Sequence, residues 1–352
     1  MTHAALPLGE GCWRGPAPST PCVHLGGWQS LGPLPDGSWR WRAPVAPASA
    51  PATTDVDGWI LQQLEAARAA QRAPFPAEPR LLGILNLTPD SFSDGGQFLD
   101  GSGRLQIPAL RQAALRLQAQ GAAALDLGAE STRPGAQAVA PETQLQTLLP
   151  ALDALRGLGL PLSVDTRSAR VAEACLDAGA SILNDVSGLR EDPDMAGLAA
   201  ARGCTVILMH MRGSPSDMRE HARYRHLLGE VADELMERVQ TGLRAGMTRE
   251  QIVLDPGIGF AKDAAQSREL VGRCEALRAL GFPLLMGPSR KSFLAELAPA
   301  GPAPTARDAA SLGIAALCAA QGAAWIRLHD GAGWDAVRAA AACARVAHEE
   351  AD

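Results

Sequence analysis

Eight short apolar runs, each followed by polar residues, constrain the fold of this chain more than any other feature. Between the runs lie Ala-, Leu-, Arg- and Gln-rich stretches with helical spacing, and most of these end at a glycine, as helices commonly do. Continuous apolar strands that alternate with helices predict a parallel sheet covered on both faces, and eight such units over about 270 residues are typical of a closed (β/α)8 TIM barrel. The predicted strands are residues 81–87, 122–128, 161–165, 181–186, 205–209, 252–255, 283–286 and 323–328.

A polar residue or polar cluster stands at the C-terminal end of nearly every predicted strand. Each one alone is more often a cap for the next helix, but capping does not explain eight of them in register. In (β/α)8 barrels the C-terminal ends of the strands converge on one face, which holds the active site. We therefore predict one site, to which these ends contribute Asn86, Asp126, Asp165, Asn184, Asp185, His210, Asp255, the SRKS segment, Arg327 and His329.

Charged side chains of both signs belong to this predicted rim. Arginine and lysine suit phosphate oxygens, whereas carboxylates accept paired hydrogen bonds from an amidine-like edge. We therefore expect a ligand with an anionic tail and a flat head that is rich in hydrogen-bond donors. The cations of the rim are Arg133, Lys262, Lys291, Arg327 and His329, and its carboxylates are Asp94, Asp165 and Asp255.

The segment NLTPDSFSDGG, residues 86–96, directly follows the first predicted strand. It places two Asp, two Ser and two Gly within eleven positions and carries one aromatic residue, Phe92. Its place in the barrel predicts that it is the first active-site loop.

The first 78 residues differ from the rest of the chain, since they hold five of the seven tryptophans. We predict an N-terminal extension over residues 1–78 and a barrel over residues 79–352. Within the extension, a Pro-Asp-Gly turn followed by alternating Trp and Arg predicts a hairpin, and the Pro/Ala-rich residues 43–57 indicate a linker. Residues 58–72 have the pattern of a short amphipathic helix.

Composition excludes several classes of protein. With 47% apolar residues and a formal net charge of −6, the 352-residue chain is expected to be globular, and it has no basic run that would bind nucleic acid. It has no segment typical of a signal peptide or a membrane span, so a cytoplasmic location is expected. Seven scattered cysteines without a C-x-x-C pair are typical of reduced thiols.

Eight segments in this order resemble the dihydropteroate synthases, the pterin-binding enzymes of folate biosynthesis. They are GILNLTPDSFSDGG, LDLGAESTRPGA, SVDT, ILNDVSGL, LMHMRGSP, LDPGIGFAKD, GPSRKSFL and IRLHD, and the resemblance spans roughly residues 81–345. It implies a transferase that joins 6-hydroxymethyl-7,8-dihydropterin pyrophosphate to 4-aminobenzoate with Mg2+. The products would be 7,8-dihydropteroate and pyrophosphate, sulfonamides would bind the enzyme, and a homodimer formed through the late helices is expected.

The resemblance also implies a role for individual residues. The pterin would contact Asp165, Asn184, Met209, Asp255, Gly259, Phe260, Lys291 and Arg327. The pyrophosphate would contact Asn86, Arg133, Arg327 and His329, with Asn86 also holding Mg2+. The aminobenzoate would contact Phe92, Thr132, Pro134 and Ser292, and the catalytic residues would be Asp94, Arg133, Lys291 and His329.

The implied chemistry is an SN1-like transfer through a pterin methylene cation, which Asp94 is well suited to face. The chain departs from the family pattern at Ala129, Ala261 and Gly331, and none of these changes removes a named binding group. Two alternatives stay open: a pterin methyltransferase of the corrinoid type, and a non-catalytic pterin-binding paralogue. The first is not expected to keep both ESTRPG and SRKS, and the second has no use for groups that bind a leaving group.

Overall fold

The computed structural model describes residues 76–88, 97–133, 135–297 and 303–349, with side chains up to residue 347, together with the backbone of five N-terminal strands. These five strands form an antiparallel sheet in the order β1-β2-β5-β4-β3, in which β4 pairs with β5. The turn of the predicted hairpin, the predicted linker and the predicted helix at residues 58–72 lie outside the described residues. The strands are β1 Leu6–Gly9, β2 Cys12–Gly15, β3 His24–Leu25, β4 Trp28–Pro33 and β5 Trp39–Arg42.

Eight parallel strands form the second sheet and confirm the predicted (β/α)8 architecture. Their order is β11-β10-β9-β8-β7-β6-β13-β12, so sequence neighbours pair throughout and the last two strands pair back onto the first. A parallel bridge between Leu254 and Leu284 closes the ring, and the Leu254 N–H donates to the Pro283 carbonyl at 2.9 Å. The strands are β6 Arg80–Asn86, β7 Ala122–Gly128, β8 Leu162–Asp165, β9 Ile182–Asp185, β10 Thr205–Met209, β11 Ile252–Asp255, β12 Leu285–Met286 and β13 Trp325–Leu328.

Helices cover the outside of the barrel, and local sequence fixes several of their starts. The Ser168 side chain accepts the N–H of Val171, and Asp263 forms a reciprocal capping box with Gln266. The α-helices are α1 Ile107–Ala119, α2 Pro141–Leu155, α3 Ala169–Asp177, α4 Met195–Arg202, α5 Leu227–Arg244, α6 Ala264–Gly272, α7 Phe293–Leu297, α8 Asp308–Ala320 and α9 Trp334–Glu349. Short 3-10 helices span Arg156–Leu158, Met218–His221, Arg249–Gln251, Cys274–Leu280 and Pro304–Arg307. In the part of the chain that the structure describes, no helix is long and apolar enough to cross a membrane.

The barrel interior changes from apolar to polar along the strands, and this change positions the site. An inner apolar layer contains Ala124, Ile182 and Val253 among its members. Because strand side chains alternate between the two faces, the residues two positions further on also point inward. These residues are Asp126, Asn184 and Asp255, which are all buried.

Candidate active site

A cavity of about 380 Å3 lies at the C-terminal ends of the barrel strands. It is lined by every described residue to which the family resemblance assigns a contact, although these residues are scattered over more than 240 positions of sequence. Asp126, Asp185 and His210, which were predicted from the strand ends, are not among the lining residues. Phe92, Asp94 and Pro134 lie outside the described residues. The predicted residues that line the cavity are Asn86, Thr132, Arg133, Asp165, Asn184, Met209, Asp255, Gly259, Phe260, Lys291, Ser292, Arg327 and His329.

A second, larger cavity of about 780 Å3 lies at the opposite end of the barrel, beside the N-terminal ends of β6 and β13. It is lined by residues such as Pro76, Trp325 and Trp334, and none of the predicted site residues reaches it. Size alone would favour this cavity. The smaller one brings together buried carboxylates and cations at the face where barrel active sites lie, so we assign the site there.

Asp126 is the hydrogen-bonding centre of the cavity floor. It is fully buried, and its Oδ1 accepts the Ser163 hydroxyl at 2.5 Å. Its Oδ2 accepts Nδ2 of Asn184 at 2.9 Å and Nε of Arg327 at 2.6 Å. Asp126 therefore fixes two predicted pterin contacts. The sequence marked Asp126 as a polar strand end but gave it no role.

Asp165 contacts the same arginine as Asp126, but its distance to Arg327 is longer. Its Oδ2 lies 3.3 Å from Nη2 of Arg327. Burial raises the pKa of the Asp165 carboxyl from 3.8 to about 7, and the negative charge of Asp126 adds to the rise while Arg327 opposes it. The Asp165 carboxyl therefore changes charge near neutral pH.

Asp255 is buried at the end of β11 and accepts the N–H of Gly257 on Oδ1 at 2.7 Å. Burial raises the pKa of its carboxyl, and this hydrogen bond and the nearby Lys291 oppose the rise. Gly257 has a φ of +68°, and a Cβ there would lie 2.0 Å from the His210 carbonyl oxygen. Only glycine therefore allows the backbone to turn back toward the Asp255 carboxylate.

Lys291 approaches the site from the loop after β12. Its Nζ lies 4.1 Å from the centre of the Phe260 ring, within the range of a cation–π interaction. Burial lowers the pKa of the Lys291 ammonium from 10.5 to about 8, while Asp255 favours the charged form. Lys291 is therefore a cation at neutral pH that can also lose its proton in mild base.

Asn86 and His329 also line the cavity. Asn86 Nδ2 lies 3.1 Å from Nε2 of His329, and Nδ1 of His329 lies 2.8 Å from the Ser289 hydroxyl oxygen. Burial, and then the positive charges of Arg290 and Arg327, hold the pKa of the His329 imidazole well below its usual range. These effects favour the neutral form of the His329 imidazole. Ser289, which also lines the cavity, had no predicted role of its own.

Arg167 and Glu130 brace the loop that carries Thr132 and Arg133. Arg167 donates from Nη2 to Glu130 Oε1 at 2.7 Å and from Nε to Glu130 Oε2 at 3.2 Å, and both residues are buried. Glu130 Oε1 also accepts the N–H of Val139 at 3.0 Å, which joins the two ends of the loop. The sequence did not identify this pair, because residues 37 positions apart give no local signal.

Lys262 corrects one expectation, since it does not stand among the residues that line the cavity. Its Nζ lies 2.8 Å from His210 Nδ1 and donates to the Phe260 carbonyl at 2.9 Å. His210 Nε2 lies 3.1 Å from Glu234 Oε2, and burial lowers the pKa of Lys262 to about 7. Lys262 thus stabilises the loop after β11 through these contacts and does not line the cavity. Lys262 was predicted at the rim of the site because the sequence does not indicate on which side of that loop its side chain lies.

The donor set at Asn86 is compatible with Mg2+. No group of three or more His, Cys, Asp and Glu side chains is arranged to bind a metal ion within the described ranges. Mg2+, however, usually keeps several waters and takes one or two protein oxygens together with substrate phosphates. Asn86, which lines the same cavity as the cations Arg133 and Arg327, carries an amide oxygen, a hard ligand of this kind.

Comparison with known proteins adds independent information. The model of the family described as "Pterin binding enzyme" matches residues 82–329. The dihydropteroate synthase of Synechocystis sp. is 42% identical over 252 residues, which are 71% of this chain and 84% of that protein. The probable bifunctional folylpolyglutamate synthase/dihydropteroate synthase of Haloferax volcanii is 43% identical over 73% of this chain, which spans 30% of that longer protein.

One solved structure extends the similarity to three dimensions. The dihydropteroate synthase of Thermus thermophilus, crystallised in complex with 4-aminobenzoate, is 39% identical and superposes with a TM-score of 0.64. The superposition covers 77% of this chain and 95% of that one. The similarity therefore includes the barrel and the face on which the cavity lies.

Proposed function

The chain belongs to the pterin-binding enzyme family and, within it, to the dihydropteroate synthases, and on this premise we propose that it joins 6-hydroxymethyl-7,8-dihydropterin pyrophosphate to 4-aminobenzoate. The reaction forms a C–N bond, breaks the C–O bond to the diphosphate and releases pyrophosphate. The observation that carries the proposal is that one cavity is lined both by the buried carboxylates Asp165 and Asp255 and by the cations Arg133, Lys291 and Arg327.

The buried carboxylates of the cavity would bind the pterin ring. Asp255 and Asn184 would pair with the aminopyrimidinone edge, and Asp165 with the ring nitrogens. Lys291 would donate to the ring carbonyl and N5, and Arg327 would lie against the ring face. Met209, Gly259 and Phe260 would form the walls. Supporting these roles, the two carboxylates are buried, and each can accept more hydrogen bonds than the one it receives, from Arg327 to Asp165 and from Gly257 to Asp255. A ligand with matching donors would complete their hydrogen bonding.

The cations of the cavity would bind the diphosphate. Arg133 and Arg327 would bind its oxygens, and neutral His329 would contribute a hydrogen bond rather than a charge. Asn86 would hold Mg2+, which when bound stabilises the negative charge of the departing diphosphate. These residues line the same cavity as the proposed pterin contacts, so the scissile bond would lie between the two groups.

The arylamine would enter beside Thr132 and Ser292, with Phe92 and Pro134 completing that part of the site. An aniline nitrogen is unprotonated at neutral pH and needs no strong base before it attacks. We propose an SN1-like course, in which the dihydropterin ring delocalises the positive charge of the methylene group and Asp94 faces that charge. The amine then adds to the methylene carbon and loses a proton. Sulfonamides, which carry the same aniline, would compete for this position.

The decisive assay follows pyrophosphate release from the pterin diphosphate with Mg2+, in the presence and absence of 4-aminobenzoate. We expect release that depends on the arylamine, and Asp255→Asn should weaken pterin binding about 100-fold, because it removes a buried acceptor. Arg133→Ala should weaken pyrophosphate binding and leave pterin binding intact. Methyl transfer to a corrinoid, or pterin binding without turnover, would instead support one of the two alternatives.

Two finer proposals concern the mechanism and the assembly. Positional isotope exchange within the diphosphate, measured without arylamine, should occur if a discrete cation forms, and complete absence of exchange would argue against it.

We also propose a homodimer through α8 and α9, supported by the exposed Leu317 and Val346 on these helices. Light scattering should give twice the chain mass of 36.7 kDa.

A further inference from the structure

Ala261, in the loop after β11, adopts a backbone conformation that residues with a Cβ rarely adopt. Its φ is +49°, in the left-handed region, and the residue is buried. Two other left-handed positions of this loop are Gly257 and Gly259, which tolerate the conformation without strain. An alanine is strained there and keeps the conformation only where surrounding contacts hold it. The strain lies directly beside Gly259 and Phe260, which line the cavity.

Two side chains hold the peptide groups on either side of Ala261. Nζ of Lys262 donates to the Phe260 carbonyl at 2.9 Å, and the Tyr224 hydroxyl donates to the Ala261 carbonyl at 3.0 Å. A carbonyl oxygen can only accept, so Nζ of Lys262 donates here whether or not the amine is charged. The first contact fixes the peptide plane that sets φ of Ala261, and the second fixes the plane that sets its ψ.

Lys262 and Tyr224 are themselves held by neighbouring elements of the barrel. Nζ of Lys262 lies 2.8 Å from Nδ1 of His210, and Nε2 of His210 lies 3.1 Å from Oε2 of Glu234 on α5. The guanidinium carbon of Arg212 lies 4.1 Å from the centre of the Tyr224 ring, and Nε of Arg212 donates to Glu234 at 2.8 Å. Because Lys262 and His210 are buried, bulk water cannot freely replace these contacts.

The same loop packs against a proposed pterin contact. The Phe260 ring centre lies 4.1 Å from Nζ of Lys291, and a Cβ at Gly259 would lie 3.4 Å from Cδ of Lys291. We propose that Lys262 is a positioning residue, which holds Ala261 in its left-handed conformation and thereby keeps Phe260 at the pterin site. This inference rests on the proposed function for the identity of the ligand, whereas the loop conformation does not.

Replacing Ala261 with glycine separates this positioning role from other roles of Lys262. Without the Lys262 amine, an alanine at position 261 would relax toward negative φ, and this movement would turn the Phe260 peptide group. A glycine can keep the left-handed conformation without strain, so it has no such tendency. Lys262→Met should therefore disturb the loop strongly in the otherwise wild-type chain and weakly in the Ala261→Gly background.

Hydrogen exchange of the Phe260 amide measures the loop of the full chain without any ligand, because this N–H donates to the Gly257 carbonyl at 3.0 Å. We expect Lys262→Met to speed its exchange about 10-fold, and less than about 3-fold in the Ala261→Gly background. If Lys262→Met does not fold, Tyr224→Phe, which removes only a hydroxyl group, should give the same pattern at smaller size. Equal acceleration in both backgrounds, or no acceleration, overturns the inference.

Binding of 6-hydroxymethylpterin, followed by its fluorescence, tests the link to the site. Lys262→Met should weaken this binding about 10-fold, and most of the affinity should return in the Ala261→Gly background. Ala264→Gly is the matched control, because it lies at the first residue of α6 and should restore none of the affinity. An equal loss of affinity with and without Ala261→Gly would contradict the proposal. A wild type that does not bind this pterin would refute the proposed function, and hydrogen exchange would still decide the role of Lys262.

Discussion

At the scale of single residues, the site depends on ionisable side chains whose environment changes their protonation. Asp165 is the clearest case, because burial and Asp126 raise the pKa of its carboxyl from 3.8 to about 7. Between these two values the folded protein holds a proton that the unfolded chain releases. The stability that Asp165 contributes is therefore complete below pH 3.8 and is lost as the pH rises through about 7.

This predicts the effect of Asp165→Asn, which keeps the shape of the side chain but cannot ionise. The substitution should increase the free energy of unfolding at pH 8 relative to its effect at pH 5, by up to about 3 kcal/mol, because only the interval from pH 5 to the folded pKa of about 7 contributes to this difference. Urea unfolding of both proteins at the two pH values measures the difference, in which contributions from other groups cancel. An effect of Asp165→Asn that does not change with pH would contradict the assigned protonation.

At the scale of structural elements, buried ion pairs hold the loops that carry the site. Arg167, in the segment before α3, forms a two-pronged contact with Glu130 in the loop after β7. Removing one partner of a buried pair leaves an uncompensated charge and commonly costs about 3–5 kcal/mol. Arg170 offers a matched control, because it lies three positions later and pairs with Glu142 at an exposed position.

We therefore predict that Arg167→Met lowers the free energy of unfolding by about 3 kcal/mol, whereas Arg170→Met changes it by less than about 1 kcal/mol. Because the loop carries Thr132, Arg167→Met should also raise the KM for 4-aminobenzoate more than it weakens pterin binding. Urea unfolding and steady-state kinetics measure the two effects. Similar losses of stability in both variants would show that the buried pair has no special role.

The elements themselves were largely predictable from the sequence. All eight barrel strands lie where short apolar runs precede polar residues, because a strand buried on both faces requires continuous apolar sequence. The supports of the site were less predictable. The contacts of Asp126 with Asn184 and Arg327 join residues 58 and 201 positions apart, and only the closed ring brings them together. Packing likewise decides on which side of its loop the Lys262 side chain lies.

At the scale of the whole molecule, closure of the barrel brings residues that are distant in sequence into one site. Strand β13 pairs in parallel with β6, so Asn86 on the first barrel strand and His329 after the last one come within hydrogen-bond distance, and the bridge between Leu254 and Leu284 completes the ring. The strand ends predicted several members of the site, such as Asn184 and Asp255, but they also predicted Asp185 and His210, which do not line the cavity. The sequence could not predict the contacts within the site, such as those of Arg327 with both Asp126 and Asp165, because these depend on the order in which the closed ring places the strands.

The most direct test of the proposed contacts is a crystal structure of the chain with the pterin diphosphate and Mg2+. The account predicts that the pterin ring lies against Asp165, Asn184 and Asp255 and that the diphosphate lies beside Asn86, Arg133 and His329. A ring bound outside the cavity, or a diphosphate placed against the carboxylates, would contradict it.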